Sequence, residues 1–343
     1  MPMSWQDQLR GDSLSWLLER EAPGVRYLAL RDLLDRAESD AELRAARKAA
    51  HEQGPIAAVL AQMNEAGYWV KPGPGYSPNY RSTVWSVILL AELGASVAQD
   101  ARVARACGYV LDHALTPGGQ FGMSGTPSST IDCLQGNLTW ALLDLGYADA
   151  RLERAVEWMA RSVTGEGVAP QSERQAPLRY YAAKCGPGFA CGYNGRQPCA
   201  WGCVKVLLAL GSWPVERRTP LHARAIQRGV DFLFSVEPAD AAYPTIANQK
   251  PSRKWWDFGF PVFYVADLLE LAEALAKLGY AADPRLSRTL ALIREKQDAN
   301  GRWLLEHDYA GKTWAEFGLR KQPNKWVTLR ALRVLKAAAG NHK

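Results

Sequence analysis

Apolar residues recur along the chain at helical spacing, in pairs of segments joined by a glycine. In the last pair, Leu292 and Ile293 precede Gly301 and Trp303, and a second apolar segment begins at Trp326. Residues three and four positions apart share one face of a helix, so this spacing predicts two amphipathic helices around a turn. The pattern therefore predicts a helical hairpin.

Similar pairs fill the rest of the sequence and predict about six helical hairpins. Their second helices end at glycines, which favour the left-handed turn after a helix. These stops are Gly94, Gly146, Gly211 and Gly279. A hairpin with two apolar helices cannot bury its surface alone, so neighbouring hairpins must stack. Long insertions at 164–199 and 237–256 are typical of loops over the mouth of a closed ring, and they disfavour an open solenoid.

Composition indicates one globular domain over 1–343. Of the 343 residues, 48% are hydrophobic, and no linker-like stretch divides the chain. The net charge of +6 comes from interspersed charges, which argues against a nucleic-acid partner. No apolar run approaches the roughly 20 residues that span a bilayer, and the first residues do not resemble a signal peptide. We therefore expect a cytoplasmic protein without membrane insertion.

Several short stretches resemble a known family. The segment from Leu292 through Gln297 to Trp303 resembles the QW repeat of the squalene cyclase family, and Gln62 to Trp69 is a looser copy. Further stretches look like signatures of uncharacterised bacterial squalene-cyclase-like proteins: Cys133 to Asn137, Phe258 to Pro261, Trp303 to Glu306 and Lys325 to Thr328. The resemblance, which extends to the related prenyltransferases, implies an all-α fold, a single α/α toroid with a central cavity. In such repeats Gln297 and Trp303 are expected to anchor a helix end.

One departure from that family bears on chemistry. The sequence contains no Asp-x-Asp-Asp, the motif that supplies the general acid in class II terpene cyclases, so triterpene cyclisation is not expected. A single ring also corresponds to only part of the two-domain cyclases. The resemblance therefore predicts the architecture more strongly than the activity.

The cysteines are candidates for metal binding. We predict one zinc ion held by Cys133, Cys185, Cys191 and Cys199, with Cys203 in reserve, because thiolates select zinc in a reducing cytosol. The resemblance adds that prenyltransferases of this fold hold zinc with Asp, Cys and His. Buried, inert thiols are the alternative.

Carboxylates near the family-like stretches are the candidates for catalysis. Asp257, Asp267 and Glu306 could act as general acids or bases if an aromatic cavity removed them from water. Their alternative role is to cap or salt-bridge a neighbouring hairpin. His307 is either a loop histidine or a metal ligand, and Arg330 is expected at the surface.

Four aromatic residues near the starts of the second helices could line the cavity: Trp85, Trp140, Trp201 and Tyr264. Packing in the core is their alternative role. Three functions stay open from the sequence. The first is an enzyme acting on an apolar or isoprenoid-like small molecule in the central cavity, with or without zinc. The others are a carbohydrate-processing lyase or hydrolase and a non-enzymatic scaffold with structural zinc; the oligomeric state is left open.

Overall fold

The computed structural model describes residues 4–176, 178–180, 184–246 and 250–340. These residues form thirteen α-helices, several short 3-10 turns and isolated β-bridges, and they contain no β-strand. The helices are α1 (Ser13–Leu17), α2 (Pro23–Asp32), α3 (Ala41–Glu52), α4 (Gly54–Ala61), α5 (Thr83–Glu92), α6 (Ala101–His113), α7 (Asp132–Asp144), α8 (Arg151–Thr164), α9 (Ala200–Ser212), α10 (Pro220–Leu233), α11 (Leu268–Lys277), α12 (Ser287–Glu295) and α13 (Lys325–Gly340). The predicted all-helical fold is confirmed.

The helix ends follow the expected local chemistry. Asp267 caps α11 by accepting a hydrogen bond from the backbone N–H of Glu270, and such caps satisfy an amide that has no partner within the helix. Gly94 and Gly279 follow α5 and α11 with positive φ angles, as predicted. The stop predicted at Gly211 is wrong, because α9 continues through that glycine to Ser212.

The helices form two concentric layers. The inner layer consists of α2, α5, α7, α9, α11 and α13; α7 packs against α5 and α9, and α11 packs against α9 and α13. Helix α13 also packs against α2, and Leu28 of α2 lies against the turn at Gly94 after α5. These contacts close the ring. The outer helices α3, α6, α8, α10 and α12 each pack against an inner helix, so the described chain is an α/α toroid.

A glycine allows two inner helices to approach closely. A Cβ atom on Gly136 of α7 would lie 2.4 Å from the carbonyl carbon of Lys205 on α9. Because backbone cannot move aside as a side-chain tip can, only glycine fits at this crossing. Buried side chains from Trp5 to Leu335 then form one continuous core.

Two tryptophans repeat the same pair of hydrogen bonds. The indole N–H of Trp303 donates to the carbonyl of Ile293 at 2.7 Å, and that of Trp69 donates to the carbonyl of Val59 at 2.8 Å. The backbone N–H of Trp303 also donates to the Thr328 hydroxyl, and that of Trp69 to the Thr83 hydroxyl. Each tryptophan therefore joins the end of one helix to the next inner helix, as the repeat predicts.

The glutamine of the repeat has its expected anchoring role only in the last copy. Gln297 is buried; its side chain accepts from the backbone N–H of Arg10 and donates to the carbonyl of Gln8. Gln62 is exposed instead. Gln297 therefore fastens the N-terminal segment to the last hairpin. None of the helices described is long and apolar enough to cross a bilayer.

Candidate functional site

A cavity of about 490 Å³ opens among the inner helices, and side chains from all six of them line it. We call it the inner cavity. One part of its wall is apolar, with Leu28, Ala91, Leu208 and Val262. Nine of its lining side chains are charged, which is unusual for a surface so deep in a fold. The cavity is therefore amphiphilic.

The segment 258–267 forms the floor of the inner cavity, and Phe260 and Val262 line the cavity directly. Three inner helices hold this segment by its backbone. Glu92 of α5 accepts from the amides of Val262 and Phe263, Asn137 of α7 donates to the carbonyl of Phe263, and Arg330 of α13 donates to the carbonyl of Gly259. The floor is thus fixed from several sides of the ring.

Glu92 is the carboxylate with the fewest charged partners in the cavity. It ends α5, lies deep inside the ring, and keeps part of its surface open toward the cavity. Its oxygens accept backbone N–H groups at 3.2–3.3 Å, and no ion pair within 4.0 Å involves it among the described side chains. Burial raises the pKa of Glu92 to about 7, although Lys205 and Arg330 act in the opposite direction. Glu92 can therefore gain or lose a proton near neutral pH.

Glu270 is a second buried carboxylate on the cavity wall. Its Oε1 pairs with the ammonium of Lys205, which is itself 1% exposed. Its Oε2 is buried and has no hydrogen-bond partner among the described residues. Burial raises the pKa of Glu270 to about 7 even with Lys205 beside it. The Lys205 pair therefore engages only one of the two oxygens of Glu270.

Arg330 connects the floor segment to helices α11 and α13 of the cavity wall. Its guanidinium donates hydrogen bonds to both oxygens of Asp267 at 3.0 Å and to Glu273 at 2.7 Å. Only 5% of Arg330 is exposed, so the expectation of a surface arginine is wrong. If Arg330 lay at the surface, Asp267 and Glu273 would have no counter-ion inside the ring.

The cavity also contains a second group of ion pairs. Arg31 and Arg333 both pair with Asp32, and Lys277 pairs with Asp144. These side chains are partly exposed, in contrast to Lys205 and Glu270. They define the solvent-facing rim of the inner cavity.

The three carboxylates predicted to be catalytic are engaged elsewhere. Asp267 caps α11 and pairs with Arg330, while Glu306 accepts from Lys296 at 2.7 Å and from the amide of Phe258. Asp257 lies 3.6 Å from the exposed Arg253. None of the three lines the inner cavity. Their alternative roles as caps and ion pairs account for these contacts, and a catalytic role for them stays a prediction.

Of the four aromatic residues expected around the cavity, only Trp140 lines it. The other three belong to an aromatic cluster that includes Tyr80 and Phe263: Tyr264 lies 6.1 Å from Trp85 and 6.3 Å from Trp201 between ring centroids. The Trp85 indole also donates to the carbonyl of Tyr76. These rings pack the ring interior beside the floor segment.

The predicted zinc ligands meet only in part. Cys199 precedes α9, and its thiol lies close to the sulfur of Cys191. The neighbouring Cys199 thiol and the amides of Tyr193 and Asn194 lower the pKa of Cys191 to about 6 in spite of burial. Burial raises the pKa of Cys133 to about 12. The structure thus brings together one thiol pair.

The remaining candidates lie near this pair without completing a ligand set. Cys133 is the second residue of α7, and Cys185 packs with Trp158 and Tyr180. Across the described ranges, no three Cys, His, Asp or Glu side chains are arranged to hold a metal ion. His307 is half-buried against Tyr309, and burial lowers its pKa. The side chains as placed do not fit a zinc site, and zinc binding stays a prediction.

Elemental analysis of purified protein tests that prediction. If Cys133 and Cys185 turn toward the Cys191–Cys199 pair, wild-type protein will contain about one zinc per chain, as a four-thiolate site requires. The Cys199→Ser variant should then lose the metal, while Cys107→Ser, which changes a core thiol, should keep it. Metal-free wild type, or full zinc in Cys199→Ser, would reject the site.

Sequence reasoning missed Glu92, Glu270 and Lys205. Each is a charged residue inside the apolar run of an inner helix: Glu92 lies within 87–93 and Lys205 within 204–210. This interruption of an apolar run is the feature of the sequence that could have identified them. A charge on the buried face of a helix requires a partner or a function. The partner of each buried charge could not be identified from the sequence, because it depends on the geometry of the ring.

Comparisons with known proteins give distant similarities. No protein-family model matches the chain, and no curated protein matches it. Among solved structures, a protein from Actinoplanes is 14% identical with a TM-score of 0.38, covering 86% of this chain and 99% of that one. The type II terpene cyclase MstE from Scytonema is 14% identical with a TM-score of 0.33, covering 87% and 98%.

A third solved structure, a glycosidase variant, is 11% identical with a TM-score of 0.34, covering 85% of this chain and 95% of its own. Similarities of this size carry no argument about activity. The toroid is established here by the helix contacts, and the candidate site by the cavity.

Proposed function

We propose that the protein is an enzyme that transfers a proton to or from a small molecule held in the inner cavity, with Glu92 as the general acid or base. The observation that carries the proposal is a carboxylate with a pKa of about 7 that faces a cavity of ligand size. A catalytic pKa near the working pH gives the best balance between the correct protonation state and the drive for proton transfer.

The charged side chains of the cavity wall favour a substrate that carries a polar group over the wholly apolar, isoprenoid-like one expected from the sequence. Charged side chains make up nine of the eighteen residues that line it. Burying a wholly apolar molecule against them would remove charges from water without giving new partners.

The other residues of the site have positioning roles in this proposal. Arg330 holds the floor segment through Gly259 and Asp267, and the floor in turn holds Glu92 through its amides. Lys205 keeps Glu270 in place and lowers the energy of negative charge in the cavity. No step depends on zinc.

Metabolite profiling with a matched pair of variants tests the proposal. Wild type, Glu92→Gln and Glu295→Gln are each incubated with a small-molecule extract, and consumed and formed compounds are followed by mass spectrometry. Glu295 is exposed on α12, so its variant controls for the loss of one carboxylate. We expect at least one conversion that wild type and Glu295→Gln share and that Glu92→Gln slows by about 10²–10⁴-fold. Equal conversion by Glu92→Gln, or none by wild type, would refute the proposal.

A further inference from the structure

The deep end of the inner cavity is surrounded by more carboxylates than cations. Glu92, Glu270 and Glu273 line it, Asp267 lies behind it against Arg330, and Lys205 and Arg330 are the cations paired among them. Four negative charges less two positive ones leave two negative charges when all groups are ionised. Such an excess in a buried site is costly unless protons or a bound cation offset it.

Two carboxylates on the cavity wall lack a full set of partners. Glu92 has only amide partners, and the Oε2 atom of Glu270 has none among the described residues although the residue is 6% exposed. Both residues line the inner cavity, but Glu92 keeps part of its surface open, whereas Oε2 of Glu270 is enclosed by protein. A ligand in the cavity can therefore contact the carboxylate of Glu92, which has no cation of its own.

We infer that the inner cavity binds a small organic amine, whose ammonium group donates hydrogen bonds to the carboxylate of Glu92. An ammonium supplies both the missing charge and up to three donors. A hydroxyl group could donate one hydrogen bond but would leave the charge in place. A carboxylate or phosphate at the same position would add to the repulsion.

The other residues of the cavity wall indicate the chemical character of the rest of the amine. Leu28, Ala91, Leu208 and Val262 offer an apolar surface beside the carboxylates. Trp140 adds an aromatic ring to the cavity lining. An aromatic ring near an ammonium adds cation–π attraction. The ligand class is therefore an amine on a short apolar chain.

This inference rests on the cavity of the proposed function and names its substrate class. Calorimetric titration at pH 8 with hexylamine, 1-hexanol and hexanoate tests it without requiring turnover. We expect hexylamine to bind at least tenfold more tightly than the other two. Glu92→Gln should weaken hexylamine binding by at least tenfold, and Glu295→Gln should leave it unchanged.

Lowering the pH from 8 to 6 should weaken hexylamine binding by about tenfold, because Glu92 then passes from mostly ionised to mostly protonated while an alkylammonium stays charged. The charged and titratable groups that face Glu92 from the neighbouring elements are Lys205, Glu270, Arg330 and Tyr309. Of these, Glu270 titrates in the same range and would strengthen the effect.

The outcomes separate this inference from the proposed function. Glu92-dependent turnover without preferential binding of hexylamine would overturn the amine and leave the enzyme. Glu92-dependent binding of hexylamine with no turnover of any compound would support the amine and reject the enzyme. Equal binding of hexylamine and hexanol, or an unaffected Glu92→Gln variant, would overturn the inference.

Discussion

Replacing Trp303 with alanine should lower the free energy of unfolding by about 3–5 kcal/mol. The side chain is fully buried, and its indole N–H bonds the Ile293 carbonyl at the end of α12. Removing it leaves a cavity, because the helices around it are fixed by the closed ring, and it leaves that carbonyl without its partner. Chemical denaturation followed by circular dichroism measures the change.

Two further variants make this expectation specific. Trp69→Ala should cost a similar amount, since Trp69 makes the same two hydrogen bonds in another hairpin. Tyr193→Ala removes an aromatic ring that is 63% exposed and should change stability by less than about 0.5 kcal/mol. A midpoint for Trp303→Ala equal to that of Tyr193→Ala would show that the repeat does not anchor the ring.

Replacing Arg330 with methionine should destabilise the protein by about 3–5 kcal/mol, because it breaks a buried charge network from one side. Asp267 and Glu273 would keep their charges inside the ring without their counter-ion, and the Gly259 carbonyl would lose its donor. Methionine preserves much of the apolar volume of the arginine stem, so packing is a smaller part of the effect.

The matched control is Arg288→Met. Arg288 pairs with Asp240 at the surface, where both side chains are more than half exposed, and solvent screens such a pair. We expect a loss below about 1 kcal/mol there. Similar losses for the two arginine variants would mean that the Arg330 network does not hold the floor of the cavity.

The ring could be predicted from the sequence because the patterns that indicate it are local. Helical spacing, glycine stops and the tryptophan of the repeat are each visible within a few tens of residues, and α5, α11 and α13 lie close to their predicted positions. A buried tryptophan bonds the helix end ten residues before it, so the repeat could be recognised without knowing the rest of the fold.

The site could not be predicted in the same way because its members come from distant parts of the chain. Glu92 and Glu270 are brought to one cavity only when the ring closes. Asp267, in contrast, lies shortly after the family-like stretch Phe258 to Pro261, and the structure uses it as a helix cap and as the partner of Arg330. The resemblance therefore pointed to the floor segment, whereas the cavity carboxylates required three-dimensional contacts.

The pH dependence of stability follows from the raised pKa of Glu92. Its ordinary value of 4.5 applies to the unfolded chain, and the folded value is about 7. Between these pH values the unfolded state binds fewer protons than the folded state, so the free energy of unfolding falls as pH rises. The loss due to Glu92 should be about 2–3 kcal/mol, and Glu92→Gln should remove it.

The most direct test of the account is a titration of the Glu92 carboxyl carbon itself. Protein labelled with ¹³C at the glutamate carboxyl is followed by NMR from pH 4 to pH 9, and the Glu92 signal is assigned as the one absent from Glu92→Gln. We expect a midpoint near pH 7, as for a desolvated carboxylate that faces the inner cavity. A midpoint near 4.5 would mean that Glu92 is an ordinary solvated carboxylate, and it would contradict both the proposed proton transfer and the cavity chemistry on which it rests.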